Sequence, residues 1–471
     1  MNGNAWDNAI NDVISAERWV RRPGLQGVVG RVPSRGDTFD IAYRKSRRRF
    51  ETCLAGNWWP PGRFSSLFPK RGWLAPARLR GLVLAVLVMA VSGFWAGSLE
   101  VQSAADLPEV QYTNARVPAV PWSIHLVQVA RTNTNYELHS IHAGQGVLGF
   151  SPLSVQVTTL PPECGTPVAG INGDFYRRNS VYAGHPRGLQ IANGEVLSAP
   201  IGGVSFWLDA LGQPHVGNVA SRFQIIWPDG TTTPFGLNGQ RQADEVQLYT
   251  AAVGPSTRTV GGRELVLERS ETRPWVPLRI GRVYTANVRA IRPTGNTAIS
   301  SDTVVLSLGP AIMDHLPKVE TGARLRIATT TTPALMGVKT AISGGPVLVG
   351  AGRRQRLRET DADSYQSTSM FERHPRAAVG WNNDAFFLVE VDGRQRRLSV
   401  GMTLDELSAY LVELGCTDAM NLDGGGSATL WFNGLIRNRP CDGHERAIAN
   451  CLVVTRKPVS VGTTNAAMGG Q

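Results

Sequence analysis

The sequence predicts an α+β fold with extensive, mostly antiparallel sheet and few helices. Short runs rich in valine and isoleucine dominate the chain after residue 106, for example at 124–130, 303–308 and 386–391. Turn-forming residues separate these runs, and Asn193-Gly194 and Asp392-Gly393 are typical of hairpin turns. The pattern favours one large sheet-rich domain.

Two segments predict helices. Thr403 and Glu406 form a capping box at the start of the longer one, in which Thr403 is the N-cap. Leucines then recur at helical spacing, at Leu404, Leu407, Leu411 and Leu414. Gly415 stands where a C-cap glycine is expected. A short second helix is expected near Leu153.

The N-terminal region is strongly basic. Residues 1–80 contain fifteen Lys or Arg and six Asp or Glu, so they carry +9 of the formal net charge of +11. The run 44–49 (RKSRRR) has no accompanying nucleic-acid-binding module. We therefore expect no nucleic acid partner and interpret 1–80 as a disordered or cytosolic tail.

Residues 81–99 form an uncharged, mostly apolar segment, which is close to the minimum length of a membrane span. The segment is either a cleaved signal peptide, with Ser103-Ala104-Ala105 as the cleavage site and a start downstream of Met1, or an uncleaved membrane anchor. Both interpretations predict a domain exported to the periplasm or another extracytoplasmic space. The remaining chain divides into a linker (100–116), a domain (117–455) and a C-terminal tail (456–471).

Export would place four cysteines in an oxidising compartment: Cys164, Cys416, Cys441 and Cys451. A disulfide between Cys441 and Cys451 would close the loop between them, and buried thiols are the alternative. The sequence contains no Cys-x-x-Cys, and nothing in it is typical of a zinc site, so we expect no metal site and no cofactor.

The most distinctive motif is the segment 421–427 (NLDGGGS). Three consecutive glycines, Gly424, Gly425 and Gly426, allow positive φ and a close approach of ligand to backbone. Their N–H groups can converge on an anion, and Asn421, Asp423 and Ser427 add an amide, a carboxylate and a hydroxyl. A tight turn between strands is the alternative. The preceding helix and the apolar run 428–432 flank the loop, which favours a binding site.

Two further segments predict parts of the same site. Asn172 and Asp174 follow the apolar strand 167–171, so they emerge at a strand end, where an amide suits the hydroxyls of a sugar. An Asx-turn is the alternative for Asn172. Gly344 and Gly345 belong to a glycine-rich turn that either completes the pocket wall or only connects two strands.

Together these motifs resemble the phosphodiester glycosidase family, whose animal member is the lysosomal uncovering enzyme that removes N-acetylglucosamine from a phosphate on mannose. The matching segments occur in family order at 170–176, 341–346, 374–380, 392–394, 399–404, 421–427 and 445–450. Several ordered motifs are far more specific than a single one.

The resemblance implies a hydrolase that cleaves the glycosidic C–O bond of a sugar 1-phosphodiester and releases a free sugar and a phosphate monoester. It implies Asp174 and Asp423 as the catalytic carboxylates. Arg376, a further catalytic candidate, and Arg446 would bind the phosphate through their planar forks. Glu445 shares a motif with Arg446 and is expected in the substrate site. A structural ion pair is the alternative for either arginine.

Two other classes of function stay open on the sequence. A non-catalytic module that binds anionic glycans would keep the glycine loop and the arginines without needing the carboxylates. A metal-dependent phosphodiesterase would cleave the P–O bond instead, although the sequence contains no dense acidic or histidine-rich motif. The expected partners are a phosphate-containing glycan and, if residues 81–99 stay uncleaved, the membrane.

Overall fold

A computed structural model of the chain describes residues 109–144, 147–270, 275–357 and 368–458. The predicted basic tail, the apolar segment 81–99 and most of the predicted C-terminal tail lie outside these residues. Within the described ranges, no helix combines the length and the apolar character that a membrane span requires.

The described residues contain 24 β-strands. The first twelve are β1 (Val110–Val117), β2 (Trp122–Ala130), β3 (Tyr136–His142), β4 (Thr166–Asn172), β5 (Gln190–Ala192), β6 (Glu195–Ser198), β7 (Ile201–Leu208), β8 (Pro214–Ile226), β9 (Thr232–Pro234), β10 (Gly236–Leu237), β11 (Val246–Tyr249) and β12 (Arg263–Arg269). The others are β13 (Val283–Arg292), β14 (Thr303–Leu308), β15 (Arg324–Thr332), β16 (Thr340–Ser343), β17 (Val347–Gly350), β18 (Arg353–Arg354), β19 (Arg376–Trp381), β20 (Ala385–Val391), β21 (Asp418–Asn421), β22 (Leu430–Phe432), β23 (Leu435–Ile436) and β24 (Asn450–Arg456).

These strands form three sheets. The seven-stranded sheet has the order β1-β2-β20-β19-β21-β17-β18, and the five-stranded sheet has the order β23-β22-β4-β24-β3. The twelve-stranded sheet runs β10-β11-β14-β12-β13-β15-β8-β7-β16-β5-β6, with β9 paired to β8. Among the described strands, β10 and β11 pair in parallel and every other pairing is antiparallel. The predicted sheet-rich architecture is confirmed.

Two α-helices lie in the described residues, α1 (Leu153–Thr158) and α2 (Leu404–Glu413). Both were expected from sequence. In the capping box of α2, the Thr403 hydroxyl accepts from the Glu406 N–H at 3.1 Å, and Glu406 accepts from the Thr403 N–H at 2.9 Å. Gly415 follows the helix with φ +82°, as a C-cap glycine does. Short 3₁₀ turns occur at Pro162–Cys164, Ala251–Val253, Met313–His315, Thr368–Met370 and Gly425–Ser427.

Two local predictions are wrong. Residues 110–116, assigned to a linker, belong to β1, which pairs with β2 from Val110 opposite Val129 onwards. Asp392-Gly393 is not a hairpin turn, because β20 has β2 and β19 as its neighbours and Asp392 is buried. By contrast, Asn193-Gly194 does join the hairpin β5–β6, with φ of +48° and +79°.

The predicted disulfide does not form. Cys164, Cys416, Cys441 and Cys451 are all free thiols. Cys451 points into an apolar cluster with Leu153 and Val157, where it is fully buried. Cys441 lies partly exposed in the loop before Arg446, and its thiol donates to the carboxylate of Asp442 at 3.6 Å. The buried-thiol alternative therefore describes Cys451.

One apolar cluster joins the seven-stranded sheet to the five-stranded sheet. It includes Val379 and Met420 from the first sheet and Ile171 and Leu430 from the second, all without solvent exposure. Leu422 is buried in the same cluster, and burying such a side chain stabilises the fold by about 1.5–3 kcal/mol. Asp423, which follows Leu422, is therefore held at the boundary of the core.

Candidate active site

A cavity of about 190 Å³ opens where the glycine loop meets the seven-stranded sheet. Its polar walls are His374, Arg376, Arg394, Asn421, Asp423 and Arg446, and Gly424, Gly425 and Gly426 form the adjoining backbone. The cavity therefore combines three arginines with one carboxylate.

Strand pairing brings these residues together. β19 begins at Arg376 and β21 ends at Asn421, and the antiparallel register sets Ala378 opposite Asn421. The Leu422 N–H donates to the Ala377 carbonyl at 2.8 Å, which extends the pairing past the strand end. The next amide, that of Asp423, donates to the carbonyl of Gly173 at 2.9 Å. The cavity thus forms at one shared edge of two sheets.

The glycines of the loop leave room for arginine side chains. A Cβ on Gly426 would lie 2.0 Å from Nη2 of Arg446, and one on Gly425 would lie 3.2 Å from Nη2 of Arg394. Gly425 also has φ +60°. Two of the backbone amides expected to bind an anion already have partners within the protein. The Gly425 N–H donates to the Pro375 carbonyl at 2.9 Å, and the Gly424 N–H donates to the Asp423 carboxylate. Positive charge at the loop comes chiefly from the arginines.

The two predicted carboxylates occupy different positions. Asp423 lines the cavity, and burial raises its pKa to about 6 against the opposing effects of the Ser427 hydroxyl and Arg446. Asp174 is 3 % exposed and does not belong to the cavity lining. Burial raises the pKa of Asp174 to about 7, although it accepts the Gly188 N–H at 3.1 Å, and the charge of Asp423 contributes to the increase.

Asn172, predicted to contact a sugar, holds the glycine loop and does not belong to the cavity lining. Its amide donates to the Asp423 carbonyl at 2.6 Å, and its side-chain oxygen accepts from the Thr429 N–H at 3.0 Å. Ser427, also predicted to bind substrate, is 1 % exposed and hydrogen bonds to the Asp423 carboxylate. Both side chains fix the position of Asp423.

Glu445 also has a structural partner. It accepts from the Ser154 N–H at 3.0 Å in the first turn of α1, which is a capping contact and lies outside the cavity lining. The structure thus gives Glu445, which was predicted to lie in the substrate site, a partner in α1.

The predicted arginines carry structural bonds as well. Arg376 is 5 % exposed and donates to the carbonyls of Met402, Ser369 and Glu372 at 2.6–2.8 Å. Arg446 donates twice to one carboxylate oxygen of Asp442, at 2.9 and 2.7 Å, and it also lines the cavity. These bonds fix both guanidiniums in place.

Sequence reasoning missed Arg394 and His374 as site residues. Arg394 is in the left-handed region at φ +59°, and its Nε lies 3.4 Å from Nδ1 of His374. Burial, with Arg394 and Arg376 nearby, lowers the pKa of His374. Arg394 could have been identified from the family-matching segment 392–394, but Asp392-Gly393 in that segment was interpreted as a hairpin turn.

The second glycine-rich turn does reach the cavity. Gly345 lines it, and Gly345 and Asn421 exchange hydrogen bonds of 2.7 and 2.9 Å. Gly344 is one residue away from the lining, and a Cβ there would lie 2.5 Å from the Asn421 carbonyl oxygen. The buried Oδ1 of Asn421 has no hydrogen-bond partner among the described residues.

Comparison with known proteins places the C-terminal half of the domain in context. Residues 280–455 match the family model described as phosphodiester glycosidase. N-acetylglucosamine-1-phosphodiester alpha-N-acetylglucosaminidase of Bos taurus is 32% identical over 114 residues, which are 23% of this chain and 20% of that protein. The Homo sapiens protein of the same name is 30% identical over 114 residues, 23% and 21% of the two chains. The resemblance indicated by the motifs is confirmed.

A SPbeta prophage-derived protein of Bacillus subtilis (strain 168) is 37% identical over 84 residues, 18% of this chain and 13% of that protein. The matched region thus spans about a fifth or less of the length of these curated relatives.

Two solved structures share the fold. One, from Synechocystis, has a TM-score of 0.58 at 22% identity and covers 73% of this chain and 61% of its own. The other, from Burkholderia pseudomallei K96243, has a TM-score of 0.54 at 21% identity and covers 71% and 74%.

Proposed function

We propose that this chain hydrolyses the glycosidic C–O bond of a sugar 1-phosphodiester and releases a free sugar and a phosphate monoester. The observation that carries the proposal is the presence of one carboxylate, Asp423, among three arginines in a small cavity. A glycosyl phosphodiester presents the matching features, an electrophilic anomeric carbon bonded to a phosphate. The names of the curated animal relatives specify a substrate of this class.

The phosphate is bound chiefly by Arg394 and Arg446. Both guanidiniums approach the glycine loop, and Arg446 is oriented by its two bonds to Asp442. Planar forks of this kind donate paired hydrogen bonds to phosphate oxygens. Charge that develops on the departing phosphate is stabilised by donors already in position. Arg376 shapes the cavity wall and adds positive charge.

Asp423 is the carboxylate that acts at the anomeric carbon, as nucleophile or as base for water. It reaches the cavity and must be ionised in either role. Asp174 lies on the buried side of Asp423, and the charge of Asp423 contributes to the raised pKa of Asp174. The phosphate is a good leaving group, so strong general-acid assistance is not required of the second carboxylate.

Asn421 recognises the sugar. Its side chain lines the cavity, and its amide stays bound to the Gly345 carbonyl. The unpaired Oδ1 is the acceptor for a sugar hydroxyl or acetamido N–H. A buried acceptor without a partner is costly, so a substrate that supplies the donor gains affinity.

The domain acts outside the cytoplasm under this proposal. The support is the apolar segment 81–99 after a basic region, together with a substrate class expected in cell-envelope polymers. Protease treatment of intact cells, with and without permeabilisation of the membranes, tests this location. Digestion of the domain before the protease can enter the cytoplasm is expected, and digestion only after the inner membrane is opened would contradict the proposal.

Two phosphodiesters distinguish the proposed reaction from P–O cleavage. The full chain is expected to release free sugar from a panel of sugar 1-phosphodiesters and to leave bis(4-nitrophenyl) phosphate, which has no anomeric carbon, intact. Turnover of bis(4-nitrophenyl) phosphate with no release of sugar from the panel would identify a phosphodiesterase instead.

A further inference from the structure

Three buried polar side chains face one another outside the cavity lining, namely His125, Glu390 and Asp392. The strand register explains the cluster. His125 on β2 is directly opposite Glu390 on β20, and Asp392 lies two residues beyond Glu390, on the same face of the sheet. Each residue offers a ligand atom within 4.8 Å of the other two.

Glu390 is the unusual member. It is 0 % exposed, and neither of its carboxylate oxygens has a hydrogen-bond partner among the residues that the structure describes. The Asn438 side chain lies close enough to lower the pKa of Glu390 slightly. Its well-formed hydrogen bonds go to other groups: the amide donates to the Ala428 carbonyl, and the oxygen accepts from the Leu430 N–H. A buried carboxylate without a partner is strongly unfavourable unless something neutralises it.

His125 and Asp392 have the geometry of neighbouring ligands. His125 Nε2 lies 3.0 Å from Asp392 Oδ2. The two atoms form a hydrogen bond in the absence of an ion. In the tetrahedral geometry of Zn²⁺, two ligand atoms about 2.1 Å from the ion are about 3.4 Å apart, so the pair would separate slightly on binding. The other ring nitrogen, Nδ1, lies 2.8 Å from the Tyr112 hydroxyl, a partner of the kind that fixes the ring of a metal-binding histidine.

We propose that His125, Glu390 and Asp392 bind a divalent first-row transition ion, of which Zn²⁺ and Mn²⁺ fit the ligands best. One imidazole with two carboxylates suits these ions, and the two carboxylates balance the charge of 2+. The second oxygen of Asp392 is held by the Arg439 N–H at 2.7 Å, which orients the carboxylate.

The ion has a structural task. It joins β2 to the end of β20, directly before the residues that place Arg394 in the cavity. None of the three ligands lines the cavity, so the ion does not contact the substrate. This separates the proposal from metal-dependent cleavage of the phosphodiester, and it revises the expectation from sequence that the chain has no metal site.

A proton is the competing occupant. Burial, with Asp392 nearby, raises the pKa of Glu390 well above its usual value, which favours the protonated carboxyl when no ion is bound. The substitution Glu390→Gln distinguishes the two occupants. A glutamine can take the place of a protonated carboxyl, but it cannot supply the anionic ligand that a metal ion needs.

Metal content of the full chain tests the proposal. After dialysis against Zn²⁺ or Mn²⁺ and desalting, elemental analysis is expected to show about one ion per chain, reduced at least tenfold in Glu390→Gln. Glu264→Gln is the matched control, because Glu264 is equally buried but accepts from Thr257, Thr259 and Thr297 at 2.7–3.0 Å. It is expected to retain the ion.

Two results would overturn the proposal. One is a wild-type chain without bound ion after both dialyses. The other is equal ion content in wild type and Glu390→Gln. If Glu390→Gln fails to fold, X-ray absorption of the wild-type Zn²⁺ form decides: nitrogen and oxygen ligands support the cluster, whereas sulfur ligands would assign the ion to the cysteines.

Discussion

Two pairs of carboxylates in this chain, each with at least one buried member, differ in what they can reach. Asp174 and Asp423 meet at the edge of a cavity to which Asp423 is open, whereas Glu390 and Asp392 are closed off beside His125. Burial raises the pKa of Asp174, Asp423 and Glu390 alike. A perturbed pKa therefore does not identify a catalytic group on its own, and access to a cavity with complementary charge makes the distinction.

The largest effect is expected from removing the open carboxylate. Asp423→Asn should lower kcat/KM for a sugar 1-phosphodiester about 10³-fold, because the reacting group loses its charge while the arginines stay in place. Steady-state kinetics measures the loss, and calorimetry is expected to show that substrate still binds. Asp405→Asn, on the exposed face of α2, is the matched control and should be silent. Unchanged turnover in Asp423→Asn would show that Asp423 is not the reacting carboxylate.

The second effect concerns the arginine that sequence reasoning missed. Arg394→Lys keeps the charge but loses the planar fork, so we expect a loss of about 10²-fold in kcat/KM. The exposed Arg396→Lys is the control. Equal activity of the two variants in the same kinetic assay would show that Arg394 does not bind the phosphate.

The third effect is on pH dependence. Asp423 must be ionised, and its pKa is about 6, so kcat/KM should fall about tenfold per pH unit below that value. Stability changes in the opposite direction, because a carboxyl whose pKa is higher in the folded state binds more protons there. The free energy of unfolding should therefore decrease as pH rises from about 4 to about 7. An activity profile that stays flat down to pH 4 would contradict the assignment of Asp423.

The smallest expected effect on activity comes from Asp392, which connects the closed carboxylate pair to the cavity through Arg394. Asp392→Asn should lower kcat/KM about tenfold, because Asp392 fixes the turn that carries Arg394. Its effect should disappear in the Arg394→Lys background, since both changes act through the same guanidinium. Independent, multiplicative losses in the double variant would mean that the closed pair does not act through Arg394.

Local signals predicted much of the fold. The capping box at Thr403 and the turn at Asn193-Gly194 depend on residues within a few positions of each other, and both formed as expected. The strand at 386–391 was also predicted, because a short apolar run is visible in the chain itself.

Residue roles were harder to predict because they depend on distant partners. Asn172 binds the carbonyl of a residue 251 positions away, and Glu445 caps a helix 291 positions away. Asp392 has the local sequence of a hairpin turn, yet its partner His125 lies 267 positions away and holds it in the interior. Local patterns in a single sequence do not reveal such distant contacts, so they do not show which of two plausible local structures forms.

Hydrolysis in water enriched with heavy oxygen tests the proposed function most directly. The full chain would be given a sugar 1-phosphodiester, and both products would be examined by NMR and mass spectrometry. Cleavage of the C–O bond predicts the label in the free sugar and none in the phosphate monoester. Label in the phosphate, with unlabelled sugar, would contradict the glycosidase mechanism and assign attack to phosphorus.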